Sequence, residues 1–274
     1  CMNKIFKVIW SKSKQCYVVV SEMAKNKTGK KKIVVASILA ALAMQVGVVA
    51  DVSADESTLT LGGGKAANGM TNGVSIGNLA ESNSHQSIAI GYQALATSQY
   101  ANPAQPAVAI GAGAHATGRG GVSLGLIANS SVRGTAIGSA TQATGFGAFA
   151  GGTYAQATNA GDVAIGGASS DQFNNYAVAS GGYSVAIGTA AKADGSAGVS
   201  IGYKTNAKTS NSLAVGSESQ ATGEGAVAVG RKNTSTGASS TVLGILSTAN
   251  ATSATAVGME TTAKGENSLA VGHK

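Results

Sequence analysis

The sequence predicts an all-β fold, a parallel β-solenoid in which one short repeated unit makes each coil. A tetrapeptide of the form apolar, Ala or Ser, apolar, Gly recurs, and toward the C-terminus its glycine returns at a fixed spacing. Within the tetrapeptide, large apolar and small residues alternate with a period of two, which is typical of a strand. Glycine makes up 39 of 274 residues. This is about twice its usual share, and glycine suits the tight turns between short strands.

The glycine of the tetrapeptide marks each coil. The last seven follow one another at 14-residue intervals: Gly188, Gly202, Gly216, Gly230, Gly244, Gly258 and Gly272. A unit of this length is too short for two helices and a loop, but it holds two short strands and two turns. Fixed repeats of this kind indicate a solenoid. We therefore expect about fifteen 14-residue coils, stacked in parallel at roughly 4.8 Å.

Each coil offers few large side chains to bury. In one coil we expect Val227 and Val229 to pack inward, opposite Ala221 and Gly223 on the other strand. Ordering the backbone costs about 1 kcal/mol or more per residue, and so few large side chains offset little of that cost. We therefore expect the rod to associate with other copies, although the spacing does not give their number.

The basic charge of the chain lies in its N-terminal segment, residues 1–54. The formal net charge is +7, and residues 55–274 contribute nothing to it because their ten Lys and Arg balance ten Asp and Glu. The repeat region therefore has no excess positive charge for binding nucleic acid. Both cysteines, Cys1 and Cys16, also lie in the first segment, which excludes a disulfide or a cysteine metal site in the repeats.

This first segment has the organisation of a secretory signal. A basic cluster at 25–32 precedes an apolar run at 33–50, and small residues follow up to Ala54. Basic, apolar and small-residue regions in this order define a signal peptide. We expect cleavage between Ala54 and Asp55, with Ala50 as the second choice. An uncleaved membrane anchor is the alternative, because the apolar run at 33–50 is close to the minimum length of a span.

Two steps of the repeat are longer than one coil. They run from Gly91 to Gly111 and from Gly166 to Gly188. Insertions in solenoids form surface loops, often on the binding face. The second insertion and its flank supply aromatic candidates for ligand contact, namely Phe173, Tyr176 and Tyr183. The alternative is that these aromatic side chains pack on the rod.

The residues that carry chemistry are scattered. His85, His115 and His273 have no cysteine partners, the carboxylates are spread along the chain, and no Ser–His–Asp set recurs. Residues 111–116 fit a dinucleotide-binding motif only loosely, and no helix pattern follows them. We therefore expect no enzyme activity, no cofactor and no metal.

Two parts of the sequence resemble a known family. Residues 2–25 are similar to the extended signal peptide of large Gram-negative autotransporters. The NSLAVG units at 211–216 and 267–272 resemble the head repeats of YadA-like trimeric autotransporter adhesins, and the likeness covers about residues 59–274. The resemblance implies a left-handed parallel β-roll with three chains per head, displayed on the outer membrane. It also implies attachment to host cells or matrix, with collagen, fibronectin and laminin as typical ligands.

On this resemblance the chain divides into a signal peptide, residues 1–54, and a head, residues 55–274. The family also has a neck, a coiled-coil stalk and a C-terminal anchor that holds the protein in the membrane, and we expect these to be missing from this sequence. Many equal coils would present a repeated surface on which weak contacts add up. The proposed contacts are the polar residues of the NSLAVG units, Asn211, Ser212, Asn267 and Ser268.

A non-adhesive structural solenoid, fibre-like or ice-binding, is the alternative function. Ice binding needs a regular file of threonines. Six positions after the repeat glycine, threonine is frequent, but Asp194, Lys208 and Lys264 interrupt the file. A solenoid enzyme would instead need clustered carboxylates, and the carboxylates are dispersed. We therefore favour the adhesin.

Overall fold

The computed structural model describes residues 6–11, 16–21, 58–66, 72–98, 106–168 and 175–274. The chain divides into two compact units, residues 1–48 and residues 49–274. In the first unit, β1 (Phe6–Ser11) pairs antiparallel with β2 (Cys16–Ser21) to form a two-stranded sheet. The predicted cleavage site at Ala54 and Asp55 lies outside the described residues.

The second unit is a parallel β-solenoid made of two sheets, and the chain alternates between them. Longer strands form a 15-stranded sheet, and two-residue strands form a 14-stranded sheet. The prediction of an all-β parallel solenoid is therefore confirmed, with fourteen two-strand coils and one further long strand. The left hand of the coil and the association of three chains stay predictions.

The 15-stranded sheet is built in sequence order from β3 (Leu59–Leu61), β5 (Val74–Ile76), β7 (Ile88–Ile90), β9 (Val108–Ile110), β11 (Val122–Leu124), β13 (Thr135–Ile137), β15 (Phe149–Gly151), β17 (Val163–Ile165), β19 (Val185–Ile187), β21 (Val199–Tyr203), β23 (Leu213–Ser217), β25 (Val227–Arg231), β27 (Thr241–Ile245), β29 (Thr255–Met259) and β31 (Leu269–His273).

The 14-stranded sheet is built in the same order from β4 (Lys65–Ala66), β6 (Glu81–Ser82), β8 (Leu95–Ala96), β10 (His115–Ala116), β12 (Asn129–Ser130), β14 (Gln142–Ala143), β16 (Gln156–Ala157), β18 (Val178–Ala179), β20 (Lys192–Ala193), β22 (Asn206–Ala207), β24 (Gln220–Ala221), β26 (Thr234–Ser235), β28 (Thr248–Ala249) and β30 (Thr262–Ala263).

The register of the long strands follows the repeat glycine. Gly216 pairs with Gly230 across β23 and β25, as the fixed period predicts. The two longer steps leave the stacking intact, because Ile88 pairs with Val108 and Val163 pairs with Val185. The strands on either side of each longer step therefore keep the register of the stack.

Small residues fill the inside of each coil. Ala214 and Ala228, each the second residue of its strand, are fully buried, whereas Val227 and Val229 are half-buried and lie on the opposite face. The expectation that these valines pack inward is wrong, although Ala221 across the coil is buried as predicted. A loop of two strands encloses a narrow cross-section that holds small side chains, so the larger ones point outward. One coil buries four inward residues: Ser200, Thr205, Ala207 and Ser212.

Each coil turns twice through a residue in the left-handed backbone conformation. In one coil these residues are Lys204 and Asn211, with φ of 53° and 56°. Hydrogen bonds to neighbouring coils hold both turns: Glu218 N–H donates to the Tyr203 carbonyl at 2.8 Å, and Asn211 N–H donates to the Ser196 carbonyl at 2.9 Å. Most residues at these turns are not glycine, so the repeat glycine has another purpose.

That purpose is close stacking at the end of the long strand. Gly216 has φ of 120°, a conformation that side chains other than glycine rarely adopt. A Cβ atom on Gly216 would also overlap the carbonyl oxygen of Gly230 in the next coil. Glycine is therefore required here by both the backbone conformation and the contact between coils.

The later coils have a polar residue in the core, three positions after the repeat glycine. In earlier coils this residue is usually alanine, and its N–H closes a turn, as Ala191 N–H does with the Gly188 carbonyl at 3.2 Å. From β21 onward the long strands grow from three residues to five. We call the polar residues of these coils the polar column: Thr205, Ser219, Asn233, Ser247 and Thr261.

Side chains in this polar column replace the turn hydrogen bond. Asn233 Nδ2 donates to the Gly244 carbonyl at 2.7 Å, and Ser247 Oγ donates to the Gly258 carbonyl at 3.0 Å. The backbone N–H of Ser247 in turn donates to Asn233 Oδ1 at 3.0 Å. The carbonyl of the repeat glycine is therefore satisfied by the preceding coil, which allows the strand to continue through the glycine.

Candidate binding surfaces

The outer face of the 15-stranded sheet is apolar along its described length. The third residue of each long strand faces outward, and most are half-buried or exposed; Ile110 is 38% exposed and Leu243 is 41% exposed. Contiguous exposed apolar surface of this kind is typical of sites that contact another protein, a membrane or a ligand. The third residue of β15 is Gly151, and the other fourteen are large and apolar. We call these fourteen residues the apolar file: Leu61, Ile76, Ile90, Ile110, Leu124, Ile137, Ile165, Ile187, Ile201, Val215, Val229, Leu243, Val257 and Val271.

The outer face of the 14-stranded sheet is polar apart from Leu95 and Val178. The first residue of each short strand points away from the core, while the second, such as Ala143, is buried. The outward positions carry amides in the middle coils and threonines in the last ones. They include Asn129, Gln142, Gln156, Asn206, Gln220, Thr234, Thr248 and Thr262. The solenoid therefore has one face suited to burial and one suited to water.

Both asparagines that were predicted as ligand contacts lie at turns. Asn211 and Asn267 are exposed and adopt the left-handed conformation, with φ of 56° and 55°. Asparagine tolerates this conformation better than most residues. Their positions give them a local structural purpose and leave their side chains accessible, and contact with a ligand stays a prediction.

The outward placement predicted for Ser212 is wrong. Ser212 is 1% exposed, and its Oγ donates to the Thr209 carbonyl at 2.6 Å inside the turn. The strand alternation that points Ala214 inward also points Ser212 inward, so it cannot contact a ligand. Ser268 makes the same bond, from its Oγ to the Gly265 carbonyl at 2.6 Å, and is only partly buried.

The aromatic residues of the second insertion and its flank differ in their surroundings. Tyr176 lies on the rod, because its ring centroid is 6.1 Å from that of Tyr154 and its hydroxyl accepts a hydrogen bond from Gln156 Nε2 at 3.1 Å. Tyr183 is 73% exposed at a turn. Phe173 lies outside the described residues. The insertion therefore supplies both packing and exposed aromatic residues.

One turn of the solenoid carries cations beside aromatic rings in neighbouring coils. Arg119, Arg133 and Phe146 each lie eight positions after their repeat glycine, and Tyr183 lies at the corresponding turn two coils beyond Phe146. We call Arg119, Arg133, Phe146 and Tyr183 the cationic–aromatic corner. This corner was not among the sites predicted from the sequence, although an alignment of the coils on their glycines places Arg119, Arg133 and Phe146 at the same position.

The opposite turn carries alternating charges in the later coils. Residues two positions after the repeat glycine include Lys204, Glu218, Lys232, Glu260 and Lys274. Lys232 Nζ lies 3.9 Å from Glu218 Oε2, and the two side chains are 47% and 43% exposed. The pKa of Lys204 is raised above its ordinary value, first by a hydrogen bond with Tyr203, then by the charge of Tyr203, and also by that of Glu218.

No group of three or more His, Cys, Asp or Glu among the described residues could hold a metal ion. None of the described residues belongs to a helix long and apolar enough to cross a membrane.

The fold and its surfaces define a class: a parallel β-solenoid with an apolar outer sheet face and polar turns. A family model described as the extended signal peptide of the type V secretion system matches residues 2–50. The YadA head domain repeat matches residues 70–98, 104–126, 179–205, 207–233, 235–261 and 252–274. The chain therefore belongs to the trimeric autotransporter adhesins, and it is exported to the surface or outer membrane of a Gram-negative bacterium.

The similarity of the chain to one autotransporter adhesin agrees with this assignment. The chain is 36% identical over 111 residues to the autotransporter adhesin EhaG of Escherichia coli O157:H7. The match covers 37% of this chain and 7% of the relative. The chain therefore spans a small part of the length of this curated relative.

Proposed function

We propose that residues 55–274 form the head of a three-chain adhesin that attaches the bacterium to host extracellular matrix or host cells. The observation that carries this proposal is the apolar file, which runs along one face of the solenoid while the opposite face is polar. A secreted rod with such a file would expose a long apolar surface to water if it stayed a single chain. The number three follows from the family.

In the proposed head, the three chains turn their 15-stranded sheets toward one another. Ile201 and Leu243, which are 37% and 41% exposed in the single chain, would then be buried between chains. Burying apolar surface contributes about 25 cal/mol per Å², which supplies stabilisation that the small core residues do not. The 14-stranded sheets and the exposed turns would face outward.

The outward surface is the proposed site of adhesion. Its features repeat in each coil and in each chain, so weak contacts can add up to firm attachment. The ligands proposed from the family are collagen, fibronectin and laminin. Asn211, Asn267 and Tyr183 are exposed and accessible for such contacts, whereas Ser212 is not. The proposed function involves no catalytic step.

Light scattering of the exported, purified chain tests the assembly. We expect the wild-type chain to have the mass of three chains. We expect Val215→Glu combined with Val229→Glu to give single chains, because the new carboxylates in the apolar file would be buried without partners in the assembly. Thr234→Glu combined with Thr248→Glu is the matched control, since it adds the same charge to the polar face. A wild-type chain that is monomeric, or a control that dissociates equally, would contradict the proposed interface.

Adhesion is tested separately with the wild-type chain on surfaces coated with collagen, fibronectin or laminin. We expect saturable binding to at least one of them, and weaker binding by the dissociated variant because its contacts no longer add up. Absence of binding to all three matrix proteins and to host cells would contradict the adhesin proposal. It would leave a non-adhesive structural solenoid as the function.

A further inference from the structure

We propose that a charged turn of the later coils pairs with the same turn of a second, antiparallel copy of this chain on a neighbouring bacterium. We call the residues of this turn the charge ladder; each lies two positions after its repeat glycine: Lys204, Glu218, Lys232, Leu246, Glu260 and Lys274. The inference adds a partner to the proposed function and does not depend on the matrix ligands.

Backbone hydrogen bonds hold the charge ladder in one straight row. Leu246 N–H donates to the Arg231 carbonyl, and Glu260 N–H donates to the Ile245 carbonyl, each at 2.9 Å. The same bond joins the other adjacent coils of the ladder, so successive ladder residues are roughly 4.8 Å apart. From Lys204 to Glu260 the φ angles of the ladder lie between 53° and 56°. The side chains therefore leave the backbone in the same direction.

The order of the charges reverses sign about Leu246. In the adjacent coils, Lys232 precedes Leu246 and Glu260 follows it. One coil further out on each side lie Glu218 and Lys274. Opposite charges therefore stand at equal distances from Leu246. Plain alternation along one chain would instead put a lysine in the coil after Leu246, so pairing within the chain does not account for this order.

An antiparallel copy matches this order of charges. With a two-fold axis at Leu246, Lys232 faces Glu260 of the second copy, and Glu218 faces Lys274 of the second copy. A parallel copy would place every charge opposite itself. An antiparallel copy with its axis between Lys232 and Leu246 would place Glu218 opposite Glu260. Because like charges in contact disfavour a wrong partner or register, the ladder selects the antiparallel contact centred on Leu246.

The centre of this contact is apolar and accessible. Leu246 is 43% exposed, and Ile245 and Met259 are each 37% exposed. An apolar centre with charged groups at its rim is the usual anatomy of a protein interface. The ion pair within the chain leaves the side chains of Lys232 and Glu218 47% and 43% exposed. An ammonium group has three donors and a carboxylate two oxygens, so each can bind a second partner.

The antiparallel arrangement is the one that two facing cells present. Heads that project from opposing surfaces meet antiparallel, whereas heads on one surface are parallel to one another. Exposed ion pairs contribute little individually, so a single ladder binds its copy weakly. Many such contacts between two surfaces add up. The charge ladder therefore favours contact between bacteria over contact between heads on the same cell.

Clustering of beads that carry the exported, purified chain, attached through its N-terminus, tests the inference. We expect wild-type beads to cluster, as measured by turbidity. We expect about 1 M NaCl to prevent this, because the screening length falls to roughly 3 Å.

Two charge swaps that preserve net charge give opposite expectations. Lys232→Glu combined with Glu260→Lys keeps opposite charges at equal distances from Leu246, and we expect clustering within about twofold of the wild-type rate. Lys232→Glu combined with Glu218→Lys keeps the ion pair within the chain but puts like charges opposite each other. We expect this swap to slow clustering about tenfold or more, since multivalent contacts are lost together.

Equal clustering by the two swaps, or undiminished wild-type clustering in high salt, would overturn the inference. Circular dichroism checks the fold of each variant. If a swap misfolds, Leu246→Asp repeats the test by placing two carboxylates at the centre of the contact, and it should abolish clustering. Ser253→Asp is its control, because Ser253 lies at the opposite turn with φ of 54°, close to the 56° of Leu246. Equal clustering by these two variants would also overturn the inference.

The outcomes separate this inference from the proposed function. A wild-type chain that binds collagen, fibronectin or laminin but does not cluster beads would overturn this inference alone. A chain that clusters beads but binds no matrix protein and no host cell would leave contact between bacteria and remove the matrix ligands. A chain that clusters beads but is monomeric in light scattering would contradict the three-chain head alone, because the charge ladder lies within one chain.

Discussion

Asp162 and Ser184 are hydrogen-bonded in the core of the solenoid although the second insertion separates them in sequence. The Ser184 N–H and Oγ donate to Asp162 Oδ1 at 3.0 and 2.8 Å. The Asn159 N–H donates to Asp162 Oδ2 at 2.9 Å. Asp162 is fully buried, and these three donors satisfy its carboxylate. The bonds tie the coil before the second insertion to the coil after it.

Replacement of Asp162 by alanine is therefore expected to destabilise the solenoid at the insertion. The buried N–H of Ser184 would lose its acceptor, and bonds to a charged group would be lost, so we expect a cost of about 2–3 kcal/mol. Urea unfolding followed by circular dichroism measures it. Asp194→Ala is the control, because Asp194 also accepts a hydroxyl bond, from Ser180 at 2.8 Å, but is exposed. Equal midpoints for the two variants would show that the buried bonds contribute little.

The repeat glycines give a second prediction. Gly216→Ala would place a Cβ atom on the carbonyl oxygen of Gly230 in a backbone conformation with φ of 120°, and we expect a loss of about 3 kcal/mol or more. Gly147→Ala is the matched control, because Gly147 has φ of 64° and no atom lies within 4 Å of its added Cβ. We expect it to cost about 1 kcal/mol. The midpoints of thermal unfolding of the two variants measure the difference. Similar midpoints would contradict the explanation that close stacking of Gly216 on Gly230 requires glycine.

The period in the sequence was enough to predict the parallel stack. Because the tetrapeptide repeats with its glycine, the pairing of Gly216 with Gly230 could be stated from their spacing alone. The period alone did not predict which side chains of a strand face the core. Alternation shows that Val227 and Ala228 lie on opposite faces, but only the narrow cross-section of the coil decides that Ala228 is the buried one.

The binding surfaces were less predictable than the fold. Asn211 was correctly expected on the outside, but Ser212 follows it around the turn and enters the core. Arg119 and Arg133 meet only when the coils are aligned. The step from Gly125 to Gly138 is shorter than the regular period, so a search for strictly equal steps does not detect that Phe146 continues the line.

Asn233 gives a third prediction, on the polar column in the core. Asn233 Nδ2 donates to the Val229 and Gly244 carbonyls at 2.7 Å each, and Oδ1 accepts from the Ser247 N–H at 3.0 Å. Asn233→Ala would leave the Ser247 N–H and the Gly244 carbonyl without these bonds, at a cost of about 2–3 kcal/mol. Thr234→Ala, at the adjacent outward and half-buried position, should cost less than about 1 kcal/mol.

Amide hydrogen exchange measures the loss of stability caused by Asn233→Ala in the coils around the lost hydrogen bonds. In Asn233→Ala we expect faster exchange of the amides of Ser247 and its neighbours, with the coils before residue 199 unchanged, because each coil contacts only the adjacent coils. Uniform acceleration along the chain would instead indicate one cooperative unit and would contradict a local effect of the polar column.

Charge alternation at the turns gives the last prediction. Glu218 lies between Lys204 and Lys232 on neighbouring coils, with its Oε2 3.9 Å from Lys232 Nζ. Glu218→Lys would stack three ammonium groups and lower stability by less than about 1 kcal/mol, since the groups are exposed. At about 1 M NaCl the screening length falls to roughly 3 Å, so the loss of stability in Glu218→Lys should disappear. Glu224→Lys makes the same change at the opposite turn, away from these lysines, and should show no such dependence on salt. If salt affects both variants equally, the repulsion comes from net charge, and the alternation of Lys204, Glu218 and Lys232 contributes nothing specific to the stability of the rod.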